Sequence, residues 1–391
     1  MRILAGVLAT LVVCSGQVPQ SAPLVREGEY WSQTTIGVFP CAIRGQLKIA
    51  ATGSVVVRGA PRDDCSFRIK QKTRASSEAD ARNRLRGFSI RTRSVVETAT
   101  LTLQPAENSF SILEMEVLAP NTMTSSAVST RFGELQAYDL EGSVSLESGG
   151  GQVQVDRIGR NAVLRTTGGQ VKIGQVGGTL HCYSGGGFIR VDFAGGETWC
   201  DTAGGDISVG HVHGSAHLTT GGGNIEVQKA AGAVSARSLS GLIEIHEAGG
   251  LVTAIARGGS IQIGSARGAR CEASGGAIKV RTYDGPLSLS AAGGNVYAQM
   301  VSGGRHVLES SFVNSDAGDV TVLIPSDLAV SVWATNETPG MRGRIISDFS
   351  EIRVTESRVA APLRASGDLN GGGAVLRVST GSGNIFLRRQ R

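Results

Sequence analysis

The sequence predicts an all-β fold, a right-handed parallel β-solenoid built from coils of 18 residues that hold two strands each. The first observation behind this prediction is a glycine that recurs at a nearly constant interval through the middle of the chain. These marker glycines, 18 residues apart except for one interval of 17, are Gly133, Gly151, Gly169, Gly187, Gly205, Gly223, Gly241, Gly259, Gly276 and Gly294. A fixed period with glycine at the corners is typical of stacked repeats, in which each repeat packs on its neighbours.

The second observation is a short alternating run that follows each marker glycine. After the eight marker glycines from Gly151 to Gly276, two β-branched residues with one polar residue between them begin two positions after the glycine. The pairs are Val153 and Val155, Val171 and Ile173, Ile189 and Val191, Ile207 and Val209, Ile225 and Val227, Ile243 and Ile245, Ile261 and Ile263, and Ile278 and Val280. Alternation of period two predicts a strand, and the unbroken β-branching indicates that its apolar side faces a packed core.

The third observation is a second strand pattern that starts nine residues after the first. Its inward positions are smaller and more mixed: Val144 and Leu146, Leu180 and Cys182, Thr198 and Cys200, Ala216 and Leu218, and Val234 and Ala236. Each coil therefore holds two strands and two corners, and stacked coils place the strands in two facing parallel sheets. The ends of such sheets are bare edges, so both ends are expected to carry caps.

The first 16 residues are predicted to be a secretory signal peptide rather than part of the fold. Arg2 precedes an apolar run over residues 3–13, and cleavage is predicted after Gly16. The run is too short to span a bilayer, and no transmembrane segment is predicted elsewhere. The protein is therefore expected to be secreted, periplasmic or held at the cell surface. A lipoprotein acylated at Cys14 is the less favoured alternative, because Val13 is larger than the residue that usually precedes such a cysteine.

Non-repetitive segments flank the predicted solenoid, which covers residues 131–309. Residues 17–130 are predicted to form a β-rich cap, with strands over 46–57, 66–72, 99–104 and 111–117 and one helix over 77–86. Ser77 and Asp80 resemble a capping box, and Gly87 fits the end of the helix. Residues 310–391 interrupt the period with strands over 319–324 and 329–334, and resume it over 372–378 and 383–387.

Several segments resemble the bacterial putative-adhesin family, a domain of unknown function built from glycine-punctuated β repeats. They are the strand and proline at 319–325, the segment 343–349, the glycine-rich ending at 370–386, and the Thr-Gly-Gly elements at 167–171 and 220–225. The resemblance covers residues 45–391. It implies a secreted or cell-envelope β-solenoid with no established catalytic residues. It does not assign a binding or catalytic site to any residue of this chain.

Cysteine spacing leaves two possible disulfides. Cys41 and Cys65 lie in the N-terminal region and could pair in an oxidising compartment. Cys182 and Cys200 are one period apart, so they occupy the same inward position on neighbouring coils, at a Cα separation of about 4.8 Å that a disulfide tolerates. The alternative for this pair is two small core residues. Cys271 is predicted to be a core residue.

His181, Trp199 and His217 form a predicted ladder on the outer face of three consecutive coils. An exposed indole beside imidazoles could stack on a sugar ring, so these three residues are the candidate ligand-binding site. Cross-strand stacking of the rings on one another is the alternative. His211 and His213 lie at a nearby corner, so a metal held by two or three imidazoles is a less favoured alternative. No metal site and no cofactor are predicted.

The positive charge of the chain is concentrated in one segment. Eleven Lys and Arg residues lie between Arg58 and Arg93, against four acidic residues. Within it, Arg82, Arg84, Arg86, Arg91 and Arg93 form a candidate patch for an anionic partner; a solvated cap surface is the alternative. Nucleic acid is not expected as the partner, because the protein is secreted and aromatic residues are not interleaved for base stacking.

The sequence contains two acidic patterns, and neither predicts a calcium site or a catalytic pair. Aspartates are scattered among the turns, whereas a calcium-binding repeat needs an acidic oxygen at one turn position in every repeat. Glu226 and Glu244 lie one period apart on the outer face, near the separation of a retaining glycosidase pair, but on a flat sheet without a cleft. The sequence therefore predicts a non-enzymatic adhesion or interaction scaffold whose partner is a cell-surface glycan or an envelope protein. A glycan-binding or carbohydrate-active β-helix protein is the alternative.

Overall fold

The computed structural model describes residues 19–86, 88–104, 111–301, 310–337, 343–355 and 361–390. The predicted signal peptide and Cys14 lie outside the described residues, as does Gly87. The fold is all-β, with 63% strand and 2% helix. The chain divides into two compact units, of which the first ends at Gly178 and the second begins at Thr179.

The first unit contains fifteen strands and one helix in its described residues. They are β1 Gln20–Ser21, β2 Val25–Glu27, β3 Tyr30–Pro40, β4 Gln46–Ala51, β5 Ser54–Ala60, β6 Asp64–Arg74, α1 Glu78–Leu85, β7 Ser89–Val95, β8 Thr98–Gln104, β9 Ser111–Pro120, β10 Ser125–Thr130, β11 Leu135–Leu140, β12 Ser143–Ser148, β13 Val153–Ile158, β14 Ala162–Thr166 and β15 Val171–Val176.

The described residues of the second unit form twenty-two strands. They are β16 Leu180–Ser184, β17 Ile189–Ala194, β18 Thr198–Thr202, β19 Ile207–Val212, β20 Ala216–Thr220, β21 Ile225–Ala230, β22 Val234–Ser238, β23 Ile243–Ala248, β24 Val252–Ala256, β25 Ile261–Ala266, β26 Ala269–Ala273, β27 Ile278–Tyr283, β28 Leu287–Ala291, β29 Val296–Met300, β30 Ser311–Ser315, β31 Val320–Pro325, β32 Val330–Asn336, β33 Ile345–Ser347, β34 Arg353–Thr355, β35 Leu363–Leu369, β36 Ala374–Thr380 and β37 Ile385–Gln390.

Within each unit, equivalent strands of successive coils pair in parallel. Val153 pairs with Val171 in the first unit, and Ile225 pairs with Ile243 in the second, both at a spacing of one 18-residue coil. We call the sheet whose strands follow the marker glycines the A sheet, and the sheet of the intervening strands the B sheet. All the inward positions predicted above are buried, so the alternation identified the core of both units correctly.

The parallel register of the first unit begins earlier than the glycine period. Strand β10, which precedes the first marker glycine Gly133, already pairs with β12 at the 18-residue spacing, as β11 pairs with β13. On their other side, β10 pairs with β4 and β11 pairs with β5, which lie much earlier in the chain. The next coil outward is formed by β8 and β9. The spatial order of these coils therefore differs from their order in the sequence.

Antiparallel strands cover the end of the first unit. In the A sheet, β6 pairs with β9 and β3 pairs with β6, both antiparallel. In the B sheet, β7 pairs antiparallel with β8. The predicted strand over 46–57 is two strands, because a coil corner with Gly53 at a φ of 128° separates them. The predicted helix is present as α1, and the Ser77 hydroxyl accepts a hydrogen bond from the Asp80 amide at 3.2 Å.

The second unit also ends on coils that are out of sequence order. The final strands β36 and β37 pair in parallel with β30 and β31, so the last part of the chain follows the coil that contains Val320. Strand β32 then pairs with β36, and β35 and β34 continue the B sheet in antiparallel order. Antiparallel strands thus cover an exposed sheet edge, which parallel coils alone would leave bare.

A row of buried hydroxyl groups connects the coils at the marker glycines. Thr220 donates a hydrogen bond to the Gly205 carbonyl of the preceding coil at 2.8 Å, and accepts one from the Gly223 amide at 3.1 Å. The same donation to a preceding glycine is made by Thr130, Ser148, Thr166, Thr202, Ser238, Ser315 and Thr380. Asn336 continues the row with its side-chain amide, which donates to the Gly383 carbonyl at 2.7 Å.

Glycine is required at these corners because the coils approach each other closely. A Cβ atom at Gly223 would meet the carbonyl of Gly205 at less than 3.0 Å, which is closer than real Cβ atoms come. By contrast, the neighbouring Gly222 has no heavy atom closer than 3.6 Å to that position. The glycine period therefore reflects close backbone contact between coils; among the marker glycines, Gly133 also has a positive φ, of 118°.

Candidate functional site

The predicted aromatic ladder is present on the outer face of the B sheet of the second unit. His181 pairs with Trp199, and Trp199 pairs with His217, on three adjacent parallel strands. The His181 and Trp199 rings are 4.4 Å apart between centroids and 6° from parallel; the Trp199 and His217 rings are 5.3 Å apart and 12° from parallel. His217 Nε2 lies 3.0 Å from a carboxylate oxygen of Glu197.

This geometry favours the stacking alternative over the sugar-binding one at Trp199. One imidazole covers each face of the indole, so the ring offers solvent its edge rather than its faces. Stacking on a sugar ring requires a free face, because the attraction comes from the negative face of the π-system. The ladder is therefore better described as cross-strand packing of three neighbouring side chains.

The two histidines at the nearby corner contact other side chains of the same face. His213 makes an edge-on contact with Phe193, at 5.1 Å between ring centroids, and His211 lies in register with Phe193 and Lys229. Across the described part of the chain, no group of three His, Cys, Asp or Glu side chains is arranged to hold a metal ion.

Most of the basic residues of the N-terminal segment are ion-paired. Seven of the eleven lie within 4.0 Å of a carboxylate, including Arg82 with Glu78 and Arg84 with Asp80 in successive turns of α1. The other three residues of the predicted patch, Arg86, Arg91 and Arg93, are exposed and have no carboxylate partner among the described residues. The free positive charge of the patch is therefore smaller than the sequence suggested, and it lies along strand β7 and the end of α1.

Arg91 and Arg93 lie on an outer strand of the B sheet of the first unit. Strand β7 pairs with β8, with Arg91 opposite Thr102 and Arg93 opposite Thr100. Charged side chains on an outer strand discourage pairing with another chain. The same two exposed guanidinium groups are also accessible to an anionic ligand.

A surface depression with a volume of about 430 Å³ lies on the outer face of the A sheet of the first unit. Its charged lining is Arg58, Arg68, Lys70, Glu114, Glu116 and Glu134. Arg58 pairs with Glu116 at 3.9 Å, and Lys70 pairs with Glu27 at 2.8 Å. The charges compensate one another, so the depression does not favour a ligand of either sign.

The Glu226 and Glu244 pair lies in register on the outer A sheet of the second unit, as predicted. His246 Nε2 lies 3.8 Å from a carboxylate oxygen of each glutamate, and Gln228 donates a hydrogen bond to Glu226 at 2.6 Å. The side chains of Glu226 and Glu244 are 46% and 38% exposed. A general acid needs burial to hold its proton at neutral pH, and this open face does not provide it.

The five cysteines that the structure describes form one disulfide and three thiols. Cys41 and Cys65 are joined by a disulfide, with their Cα atoms 5.9 Å apart. Cys182 and Cys200 lie opposite each other on adjacent parallel strands, but their thiols are free, and so is that of Cys271.

A disulfide between Cys182 and Cys200 meets a geometric obstacle. Side chains in register on parallel strands keep their Cβ atoms near the strand spacing of about 4.8 Å, whereas a disulfide needs about 3.5–4.5 Å. Burial raises the pKa of the Cys182 thiol, and its hydrogen bond to Cys200 acts in the same direction. The pair therefore belongs to the core, which is the alternative that the sequence left open.

The sequence interpretation missed the most exposed tryptophan among the described residues. Trp333 is 61% exposed on the outer face of the B sheet of the second unit, and Phe312, 42% exposed, lies on the same face. The sequence did contain a signal for its exposure. Trp333 lies between the apolar residues Val332 and Ala334 in a segment correctly predicted to be a strand, so alternation places its side chain on the outer face. The outward aromatic residues were predicted from their position in the glycine period, and Trp333 lies outside that period.

The comparisons with known proteins identify two solved structures described as adhesion proteins. A putative cell adhesion protein from Clostridium sporogenes is 9% identical, with a TM-score of 0.20, over 95% of this chain and all of that one. A putative adhesin from Bacteroides fragilis is 16% identical, with a TM-score of 0.27, over 68% of this chain and 97% of that one. These descriptions agree with the family resemblance stated from the sequence. At such TM-scores the superpositions carry no argument, so the fold described above rests on this chain's own strand pairing.

No family model matches the chain, and no curated protein matches it. Among the described residues, the one helix is too short and too polar to qualify as a membrane span.

Proposed function

We propose that this chain is a non-catalytic adhesion or interaction scaffold, secreted or held in the cell envelope, built as a right-handed parallel β-solenoid. The observation that carries the proposal is the fixed register of the outward side chains on both sheets. Coils that stack in register repeat each outward position at the strand spacing of about 4.8 Å. Repeat architectures of this kind supply long binding surfaces.

The corner hydrogen bonds support a rigid surface. Each buried hydroxyl joins two successive coils, and the marker glycines allow the backbones to approach within contact. A right-handed coil is proposed because connections between parallel strands of one sheet are almost always right-handed. A rigid face loses little conformational entropy when a partner binds to it.

Two features support a non-catalytic role and an extracellular location. The in-register glutamates Glu226 and Glu244 are open to solvent, where their carboxyl groups lack the environments that separate an acid from a base. The disulfide between Cys41 and Cys65 fits an oxidising compartment, in agreement with the predicted signal peptide. The resemblance to the adhesin family suggests adhesion as the role of the exposed surface.

Attachment of the cells that make the protein tests this proposal. A strain that lacks the gene should attach less to a polysaccharide-coated surface, and the wild-type gene should restore attachment. A variant in which Arg86, Arg91 and Arg93 are glutamine should restore less if these free charges contribute. The matched control changes Arg82 and Arg84, whose charges are already compensated by Glu78 and Asp80.

The location is tested by fractionation of the same strains. The proposal requires the protein in the envelope or the medium, with its disulfide formed. Unchanged attachment of the deletion strain, or a protein confined to the cytoplasm, would contradict it.

A further inference from the structure

Five neighbouring strands at the end of the second unit form one row that carries aromatic and basic side chains. Phe312 on β30 lies opposite Arg377 on β36, and Arg377 lies opposite Trp333 on β32. On the other side of Trp333, Ser366 on β35 is followed by Arg353 on β34. Strand spacing places the backbones of Phe312 and Trp333 about 10 Å apart.

The Trp333 indole differs from that of Trp199 in its neighbours. Its in-register neighbours are a flexible arginine and a serine, rather than two aromatic rings. No ring within the described residues stacks on it, and its exposed fraction of 61% requires that much of one face is open to water. A free indole face on a sheet held by neighbours on both sides is a fixed platform for a flat ligand.

The charges around this platform are predominantly positive. Arg353, Arg364 and Arg377 are exposed, and none has a hydrogen-bond or ion-pair partner among the described residues. Arg364 lies opposite Thr335, one strand away and two residues along from Trp333. Within strands β30, β32, β34, β35 and β36 the one acidic residue is Asp368, which accepts a hydrogen bond from Ser331 at 2.6 Å; exposed Glu337 and Glu351 lie just beyond the ends of β32 and β34. Three guanidinium groups without a carboxylate partner among the described residues, against one carboxylate on the same strands, favour an anionic ligand.

We propose that this surface, the Trp333 platform (Phe312, Trp333, Arg353, Arg364 and Arg377), binds an acidic polysaccharide. The axial C–H groups of a sugar ring pack on the negative face of the indole, which attracts their partial positive charge. The carboxylate groups of the sugar accept hydrogen bonds from the arginines, whose planar guanidinium groups match that geometry. The proposal rests on the proposed function, since it names the class of partner that such a scaffold would hold.

An uncharged glycan could stack on the indole but would leave the arginines without an anionic partner. A polyanion without sugar rings could pair with the arginines but would leave the open aromatic face without a stacking partner. A polyuronate offers both features at a regular spacing along its chain, as the platform does along its row of strands. For this reason polygalacturonate is the appropriate probe.

The test measures binding of the purified mature protein to polygalacturonate by isothermal titration calorimetry, with dextran as the neutral comparison. Trp333→Ala should weaken binding about three- to tenfold, the range expected for loss of one aromatic contact. Arg377→Gln should weaken it to a similar extent, and wild-type binding should decline as salt is added. The controls are Trp199→Ala, whose ring faces are covered, and Arg270→Gln, an exposed arginine on the same sheet. Circular dichroism and thermal melting confirm that each variant is folded.

Each result decides the question. Weaker binding for Trp333→Ala and Arg377→Gln, with both controls unchanged, supports the platform. Equal losses in the controls would overturn it, because binding would then be spread over the sheet. A loss with Arg377→Gln alone would also overturn it, since the polymer would be held by charge without ring stacking. If polygalacturonate does not bind while gene deletion still reduces attachment, the platform is refuted and the scaffold function stands.

Discussion

Replacing Thr220 by valine would remove one hydroxyl group from inside a corner with almost no change in side-chain size. Thr220 is 1% exposed, and its hydroxyl donates to Gly205 at 2.8 Å and accepts from Gly223 at 3.1 Å. Valine keeps the branched Cβ and the strand preference of threonine, so the backbone pairing should be unchanged. The substitution therefore isolates the contribution of two hydrogen bonds between coils.

The expected loss follows from the two backbone groups that lose their partner. A buried polar group left without a hydrogen bond costs about 1–3 kcal/mol. Because the adjacent Gly222 is exposed, water can reach part of this corner and recover some of the loss. We therefore expect Thr220→Val to lower the free energy of unfolding by about 2–4 kcal/mol, rather than by the full sum for two groups.

Urea unfolding followed by circular dichroism measures this loss, and hydrogen exchange at the Gly223 amide reports it locally. The matched control is Thr219→Val, one residue earlier on the same strand, where the side chain points to solvent. The control should change stability by no more than about 0.5 kcal/mol. Equal stability of the two variants, or unchanged exchange at Gly223 in Thr220→Val, would refute a structural role for the hydroxyl row.

Three further predictions concern the corners and the cysteines. Gly223→Ala should destabilise the protein by about 1–3 kcal/mol in urea unfolding, because its Cβ meets a backbone carbonyl of the preceding coil, whereas Gly222→Ala should be nearly neutral. Replacing both Cys41 and Cys65 by alanine should cost about 3 kcal/mol, because the disulfide closes a segment of 24 residues; unchanged stability would contradict this. Burial raises the pKa of Cys271 to about 12, so its thiol stays protonated at pH 8 and should resist a maleimide until the protein unfolds; rapid labelling of the folded protein would disprove the burial.

The sequence was sufficient to predict the core of the repeats but not the order of the outer coils. Val153 and Val155 could be assigned inward because alternation is local and is repeated in every coil. The pairing of Gln46 with Ser125 could not be predicted, because the two strands are far apart in the chain and no period relates them. A coil that is out of sequence order makes the same backbone hydrogen bonds to its neighbours as a coil in order. Which coils are neighbours is therefore decided by tertiary packing and cannot be derived from the 18-residue spacing.

The candidate site was predicted less well than the fold, and Trp199 shows why. Register placed His181, Trp199 and His217 together correctly, but the exposed indole was expected to offer a face to a sugar. Rings that repeat at the strand spacing stack on each other, so the register that creates the ladder also covers its faces. The sequence shows the corner hydroxyls as part of Thr-Gly-Gly elements. Their hydrogen bonds could not be predicted from it, because each one joins two coils that approach each other only in the folded protein.

These observations lead to a criterion for a binding site on a stacked sheet. An outward aromatic residue is available to a ligand when its neighbours on the adjacent strands are small or flexible, since no second ring can then cover it. Such a position arises where unlike residues lie side by side, as they do where the repeat is broken. Trp333 meets this condition: its strand lies between the late strand β36 and the antiparallel strand β35, which supply Arg377 and Ser366 as neighbours. The irregular strands that end the second unit thus cover a sheet edge and also leave the Trp333 ring open.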